Sequence, residues 1–256
     1  MKLIKVKDYQ EMSSVASNYI SNQVRKHNPF TLGLATGGTP KKTYELLIDD
    51  HKNNGTSYSH VTTFNLDEYI GLTKEDSNSY HYYMKHALFK YIDINPKNIF
   101  IPDGLSENIE QECAEYEQKI RTYGGVNLQL LGIGANGHIG FNEPGTPFSS
   151  QTHVVELTPS TRTANARYFN SIKHVPTHAI TMGIASIMAS KEILLLVSGE
   201  EKSQALKHLL SDEAPTENFP ASILRKHPCV TIIADIDALK DLDEKGVSSL
   251  YTMLNL

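Results

Sequence analysis

Short apolar runs alternate with longer segments of helical periodicity along the chain, and this alternation constrains the fold more than any other feature. The apolar runs lie at residues 31–35, 61–65, 126–131, 178–182, 193–197 and 230–234. Nearly every run is apolar at odd and even positions alike, which is typical of strands that helices cover on both faces. The clearest helical segments between them are residues 41–52, 109–123 and 200–210.

Strands that alternate with helices indicate right-handed βαβ crossovers and therefore an α/β fold. We expect a single doubly wound, mostly parallel, Rossmann-like sheet with helices on both faces. No repeat, low-complexity tract or Pro/Gly/Ser-rich linker divides the 256 residues, so we expect one domain over 1–256. Ligands bind beyond the carboxyl ends of the strands in such sheets, so the loops after the strands should carry the site.

Charge and cysteine content exclude several classes of protein. Lys and Arg number 24 against 29 Asp and Glu, a net charge of −5, which argues against a dedicated nucleic-acid binder. Cys113 and Cys229 are far apart, which favours neither a disulfide framework nor a cysteine metal site. The first residues do not resemble a signal peptide, and the apolar run 193–197 is far shorter than the ~20 residues of a membrane span. We expect a cytoplasmic protein.

The loop after the run 31–35 reads Thr36-Gly37-Gly38-Thr39-Pro40. Its glycines allow a ligand to approach the backbone closely, and the N–H groups at the start of the next helix favour an anion. Thr39 as N-cap and Pro40 as first helical residue predict a helix from about Lys41. A tight strand-to-helix turn is the alternative interpretation, and the Gly-Lys-Ser/Thr of a Walker loop is lacking.

Two adjacent acids, Asp67 and Glu68, follow the run 61–65. Asp67 stands at the carboxyl end of a predicted strand, where a general base would have to lie in this fold. The alternative is that acids at this place cap the next helix.

The loop at 132–144 opens with Gly-x-Gly-x-x-Gly, the dinucleotide fingerprint. That fingerprint requires its third glycine to open a helix, whereas Gly137 is followed by further loop residues, so we do not expect a nicotinamide cofactor. His138 and Glu143 then remain as an imidazole and a carboxylate in a glycine-rich loop at the ligand crevice. Histidine is the natural proton carrier near neutral pH, and a nearby carboxylate orients its ring.

Cations in two further segments suit a phosphate ligand. Thr158 and Pro159 predict the start of a short helix that carries Arg162 and Arg167. Lys202 falls in the first turn of the helix after the run 193–197, where a cation opposes the helix dipole unless an anion lies in front of it. Solvated surface charge is the alternative for each cation. We expect no metal site, because metal-ligand spacings are lacking.

Three motifs together resemble the glucosamine-6-phosphate deaminase family. They are Leu-Ala-Thr-Gly-Gly-Thr-Pro at 34–40, Thr-Phe-Asn-Leu-Asp-Glu-Tyr at 63–69 and Gly-Ile-Gly-Ala-Asn-Gly-His-Ile-Gly-Phe-Asn-Glu-Pro at 132–144. The similarity extends from the first residues to about Ala234. It implies conversion of glucosamine 6-phosphate and water to fructose 6-phosphate and ammonia, without a redox cofactor or catalytic metal.

The resemblance also implies a role for each site residue. Asp67 corresponds to the enolisation base, and His138 to the ring-opening histidine that Glu143 and Asn136 assist. The phosphate ligands correspond to Thr36, Gly37, Gly38, Thr39, Arg167 and Lys202. Arg167 would belong to a short mobile lid at about 153–178.

Two departures from the family pattern lead to expectations of their own. Many members have Asp where this chain has Asn136, so Glu143 should be the main anionic partner of His138. Allosterically activated hexameric members bind an effector phosphate through basic residues after the active-site loop, and the matching stretch here reads His-Val-Val-Glu at 153–156. We therefore expect no activation by N-acetylglucosamine 6-phosphate. Separately from this stretch, we expect a monomer or small homo-oligomer.

Two alternatives remain open. A 6-phosphogluconolactonase-like hydrolase would bind a similar sugar phosphate, but ester hydrolysis needs no base at C2, so Asp67 favours the deaminase. A non-catalytic sugar-phosphate sensor domain is the second alternative. Neither a helix-turn-helix extension nor a basic face precedes the first motif, which argues against the sensor.

Overall fold

The computed structural model describes residues 1–169, 171–242 and 252–254. Its strands are β1 (Lys2–Val6), β2 (Phe30–Leu34), β3 (Val61–Asn65), β4 (Asp67–Tyr69), β5 (Ile99–Phe100), β6 (Leu128–Leu131), β7 (His153–Glu156), β8 (His178–Thr181), β9 (Glu192–Val197), β10 (Val230–Asp235) and β11 (Thr252–Leu254). Its α-helices are α1 (Tyr9–Lys26), α2 (Lys41–Asn54), α3 (Tyr80–Ala87), α4 (Ile109–Thr122), α5 (Pro159–Asn165), α6 (Ile184–Met188) and α7 (Ser203–Leu209).

The main sheet has eight strands in the order β11-β1-β10-β9-β6-β2-β3-β5, and all its pairings are parallel. Helices α1, α2 and α3 pack on one face, and α4 and α7 pack on the other. Alternate residues of β9 serve the two cores, since Leu194 and Leu196 join the first while Ile193 and Leu195 join the second. This confirms the predicted doubly wound α/β fold.

The direction of winding changes at β2. The chain proceeds from β2 to β3 and β5 on one side, whereas β6 lies on the other side of β2 and leads to β9 and β10. The loops that follow β2 and β6 therefore diverge and leave a crevice at the carboxyl ends of these strands.

The predicted run 178–182 is a strand, but it does not belong to the main sheet. It forms β8, the centre of a three-stranded antiparallel sheet in the order β4-β8-β7. The chain passes between the sheets at Leu66, whose N–H donates to the Leu34 carbonyl at 3.0 Å and whose own carbonyl accepts from the Met182 N–H. Apolar periodicity reports that a strand is buried, and it cannot tell which sheet the strand joins.

Two predicted helix starts differ from the structure. Pro40 occupies the N-cap position of α2 without a side-chain hydrogen bond, so Thr39 does not cap that helix. The segment predicted as one helix at 200–210 begins with a 3₁₀ turn, Glu200–Lys202, and continues as α7. Thr158 does cap α5, since its hydroxyl oxygen accepts from the Thr161 N–H at 3.2 Å.

Strand β1 and helix α1 were not among the predicted elements. Strand β1 lies between β10 and β11 in the main sheet, and α1 packs on β10 and α2. The charged residues Lys2 and Lys5 interrupt the apolar pattern of β1, which conceals that Leu3 and Ile4 are buried. Across the described ranges, no helix has the length and apolar character needed to cross a bilayer.

Candidate active site

A cavity of about 480 Å³ lies in the crevice at the carboxyl ends of β2, β6 and β9. Its walls come from the loops after these strands, from the start of β4 and from the segment around α5. The predicted site residues that line it are Thr36, Gly37, Thr39, Asp67, Asn136, His138, Arg167 and Lys202. Gly38 and Glu143 are not among the lining residues.

Asp67 opens β4 and is only 6% exposed. Burial and the neighbouring charge of Glu68 raise the pKa of the Asp67 carboxyl to about 8. A Cβ atom at Gly140 would lie 3.6 Å from Asp67 Oδ2, which places the carboxyl beside the loop that carries His138. The predicted base and the predicted proton carrier therefore share one cavity.

Glu68 caps the next helix, which was the alternative interpretation for these two acids. Its Oε1 accepts from the Tyr80 N–H at 2.9 Å, and its Oε2 accepts from the His81 N–H at 2.9 Å. His81 Nδ1 also lies 2.9 Å from Glu68 Oε2. Glu68 thus holds the first turn of α3, whereas Asp67 faces the cavity.

Asn136, His138 and Glu143 form a connected group. Asn136 Nδ2 donates to Glu143 Oε2 at 2.7 Å, and the His138 N–H donates to Asn136 Oδ1 at 3.2 Å. His138 Nδ1 lies 3.7 Å from Glu143 Oε2. Burial acts to raise the pKa of Glu143, but His138, Thr161 and Asn136 outweigh it and lower that pKa to about 2. Glu143 is therefore a stable anion next to the imidazole.

The glycines of this loop allow the His138 ring to approach the backbone. A Cβ atom at Gly134 would lie 2.3 Å from the ring atoms, so the imidazole rests directly on Gly134. The Gly134 N–H donates to the His138 carbonyl at 2.9 Å and closes a compact turn. Gly137 has φ of +85° and packs against the Phe219 ring, so it also has to be glycine.

The candidate phosphate ligands come from separate parts of the chain. Gly37 has φ of +89°, and its carbonyl accepts from the Tyr83 hydroxyl at 2.7 Å, which orders the loop after β2. Lys202 Nζ lies 3.7 Å from Glu201 at the end of the 3₁₀ turn. Arg167 lies on the short 3₁₀ turn that follows α5. Gly38 is exposed, and its carbonyl accepts from the Tyr9 hydroxyl at 3.1 Å.

The structure adds residues to the site that the sequence did not indicate. The hydroxyl groups of Thr161 and Thr158 both donate to Glu143 Oε1, the latter at 3.4 Å. Thr158 was recognisable as an N-cap, but the pattern did not show that it also meets Glu143. Tyr80 lines the cavity from the start of α3, and no motif marks it.

Residues 7–232 match the sequence family described as glucosamine-6-phosphate isomerases/6-phosphogluconolactonase. The chain belongs to this family. The predicted resemblance is thereby confirmed.

Several family members are similar to this chain over most of its length. A protein of Halalkalibacterium halodurans named glucosamine-6-phosphate deaminase is 58% identical over 240 residues, covering 94% of this chain and 97% of its own. The Bacillus subtilis protein named glucosamine-6-phosphate deaminase 1 is 49% identical, covering 93% and 98%.

Solved structures of the family agree with the fold. A structure described as a monomeric glucosamine-6-phosphate deaminase superposes with a TM-score of 0.92 at 49% identity, covering 94% of this chain and 99% of its own. The 6-phosphogluconolactonase of Trypanosoma cruzi superposes with a TM-score of 0.77 at 21% identity, over 94% and 96% of the two chains. The second likeness concerns the fold alone.

Proposed function

We propose that this chain is a glucosamine-6-phosphate deaminase, which converts glucosamine 6-phosphate and water to fructose 6-phosphate and ammonia in amino-sugar breakdown. The observation that carries the proposal is that Asp67 and His138 line one cavity together with Arg167 and Lys202. Identities of 45–58% to proteins named for this reaction support it. The deaminase is favoured over the lactonase and the sensor domain, because neither alternative requires a base at C2.

Binding begins at the phosphate group. The loop Thr36–Thr39 offers backbone N–H groups, and Arg167 and Lys202 offer positive charge. These contacts lie away from the reacting carbons, so their role is to orient the sugar in the cavity.

Ring opening is assigned to His138. The imidazole accepts the proton of the anomeric hydroxyl and delivers a proton to the ring oxygen. The imidazolium that forms is stabilised by the ionised Glu143, whose Oε2 lies 3.7 Å from Nδ1. Thr161 and Asn136 hold that carboxylate in place through hydrogen bonds.

Isomerisation and deamination follow at C2. Asp67 takes the proton from C2 and returns it to C1, which converts the aldose amine to a ketose iminium. Water then attacks C2 and ammonia leaves. With a pKa of about 8, Asp67 exchanges its proton near neutral pH, and in its ionised form it is a stronger base than an exposed carboxylate. A positioned base of this kind accelerates a step by about 10²–10⁴-fold.

We also propose that the protein acts in the cytoplasm as a monomer or small homo-oligomer and needs no metal or redox cofactor. The similar structure described as monomeric supports the proposed oligomeric state. Proton transfers and one addition of water account for the whole reaction, so no redox step is required.

The test is ammonia release from glucosamine 6-phosphate by the wild type and by Asp67→Asn. We expect turnover by the wild type and a loss of about 10³-fold in kcat for the variant, because an amide cannot take the C2 proton. Asp49→Asn, which makes the same substitution on the exposed face of α2, is the matched control and should retain full activity.

Two outcomes would contradict the proposal. A wild-type protein that binds the sugar phosphate without releasing ammonia would indicate a sensor domain. Hydrolysis of 6-phosphogluconolactone in place of deamination would indicate the lactonase.

A further inference from the structure

From Asp235, the last residue of β10, the chain returns to the turn that carries Lys202. We call residues 235–242 the C-terminal clasp. The clasp lies beyond the segment 7–232 that matches the family. Its side chains contact residues on both sides of Lys202, and the mechanism above assigns none of them a role.

Asp235 makes the most buried of these contacts and is 3% exposed. Its Oδ1 and Oδ2 lie 3.1 and 3.2 Å from the Gly199 N, which donates to them. Oδ2 also accepts from the Ser198 hydroxyl, and Oδ1 accepts from the Ala238 N–H at 2.8 Å. These hydrogen bonds compensate the burial of the carboxylate and tie the ends of β9 and β10 to each other.

Gly199 lies between β9 and the 3₁₀ turn that carries Lys202. Its φ of +91° is a conformation that side-chain-bearing residues rarely adopt. The Gly199 carbonyl accepts from the Lys202 N–H at 3.0 Å, which closes the 3₁₀ turn Glu200–Lys202. A hydrogen bond from Gly199 to Asp235 therefore fixes the N-cap residue of the turn whose last residue, Lys202, lines the cavity.

The rest of the clasp secures the other parts of this turn. Asp241 Oδ2 accepts from the Ser203 hydroxyl and from Gln204 Nε2, the latter at 2.8 Å. Lys240 forms an ion pair with Glu200. These contacts are more exposed than those of Asp235, so we expect them to contribute less.

We infer that Asp235 is a positioning residue that holds Lys202 toward the phosphate group of the substrate. The inference rests on the proposed function only in taking Lys202 as a phosphate ligand. Lys202 would contact the phosphate before and during the reaction alike, so a displaced Lys202 weakens binding and leaves the chemical step almost unchanged.

The experiment measures binding of fructose 6-phosphate and of inorganic phosphate by calorimetry, together with kcat and KM. We expect Asp235→Ala to raise Kd for both ligands and KM about tenfold, with kcat within about twofold of wild type. Asp235→Asn keeps an acceptor for the Gly199 N–H and should restore Kd to within about threefold of wild type. Asp237→Ala removes an equal charge from an exposed position of the clasp and is the matched control.

A double-mutant cycle with Lys202→Ala decides the matter. Once Lys202 is absent, Asp235→Ala should change Kd for phosphate by less than about twofold. Additive effects of the two substitutions, or a fall in kcat with unchanged KM, would overturn the inference. If Asp235→Ala does not fold, the same cycle with Asp241→Ala gives a smaller effect that should again vanish without Lys202.

Phosphate binding needs no turnover, so the inference and the proposed function fail separately. A wild type that binds phosphate but releases no ammonia would contradict the deaminase and leave the cycle fully interpretable. A wild type that deaminates, but whose phosphate affinity does not respond to Asp235→Ala, would contradict the role of the clasp alone.

Discussion

The carboxyl group of Asp67 is 6% exposed and lies beside Glu68, and both conditions favour its neutral form. Its pKa of about 8 in the folded protein compares with about 3.9 for an unfolded chain. Between these two pH values the folded state holds a proton that the unfolded state has released. The free energy of unfolding therefore falls as the pH rises from about 4 to about 8.

Asp67→Asn should remove this loss of stability. Asparagine does not ionise, so the Tm of the variant relative to that of the wild type should rise by about 10 °C between pH 5 and pH 9. Calorimetric melting of both proteins across this range measures the difference. A difference in Tm that does not change with pH would show that Asp67 does not titrate in this window.

Glu143 and Asn136 should differ in their importance to catalysis. We expect Glu143→Gln to lower kcat about 10²–10³-fold, because the imidazolium of His138 loses its anionic partner. Asn136→Ala removes one hydrogen bond to Glu143 and should cost about tenfold. Steady-state kinetics of the two variants provide the measurement, and comparable losses in kcat would contradict the assignment.

The sequence predicted this site well where motifs follow strands, and poorly where contacts span the chain. Asp67 and His138 could be placed because the carboxyl ends of parallel strands meet at one edge of a sheet. The contacts of Thr158 and Thr161 with Glu143 could not, because they depend on how α5 packs against the loop of His138. The different roles of Asp67 and Glu68 could not be predicted either, because they depend on the course of β4.

Among the elements, α5 and the turns that follow it join the catalytic group to a surface segment. They lie between the small-sheet strands β7 and β8. Arg162 Nη2 donates to the carbonyls of Ile172 and Val175 at 3.2 and 3.1 Å, and these hydrogen bonds join α5 to the residues that precede β8. Thr161 at its other side contacts Glu143, so a displacement of α5 would reach the site.

The segment 153–178, which is predicted to be a mobile lid, can be tested by limited proteolysis. We expect fructose 6-phosphate to slow tryptic cleavage after Arg167 and Lys173 about fivefold or more, because ligand bound at Arg167 would hold the segment closed. Cleavage after the exposed Lys97, which does not line the cavity, is the internal control. Mass spectrometry of the fragments over time measures the rates, and equal protection at all these positions would argue against a local lid.

The helices and strands differ in how far the sequence determined them. The central strands were predicted because their apolar character continues through both faces. Strand β8 was assigned to the wrong sheet, since Ala179 and Ile180 are as buried as residues of the main sheet. Apolar periodicity depends only on residues close together in the sequence. The sheet that a strand joins depends instead on the path of the chain, which passes from one sheet to the other at Leu66.

For the molecule as a whole, we expect hyperbolic kinetics without activation. Strand β7 holds the stretch predicted to correspond to the effector site of activated family members, and its exposed Glu156 would repel a phosphate. Addition of N-acetylglucosamine 6-phosphate should leave the KM for glucosamine 6-phosphate within about twofold of its value without the effector. A larger shift in KM would show that another surface binds the effector.

The organisation of 1–256 as one domain stays a prediction.

All strands of the main sheet run in one direction, with the cavity at their carboxyl ends. The amino end of β1, at Lys2, therefore lies at the end of the strands opposite the cavity. A tether attached ahead of Lys2 would present the cavity to solution and leave its entrance unobstructed. The protein is thus oriented for immobilisation on an electrode or bead, where released ammonia could report amino-sugar phosphate in a flowing sample.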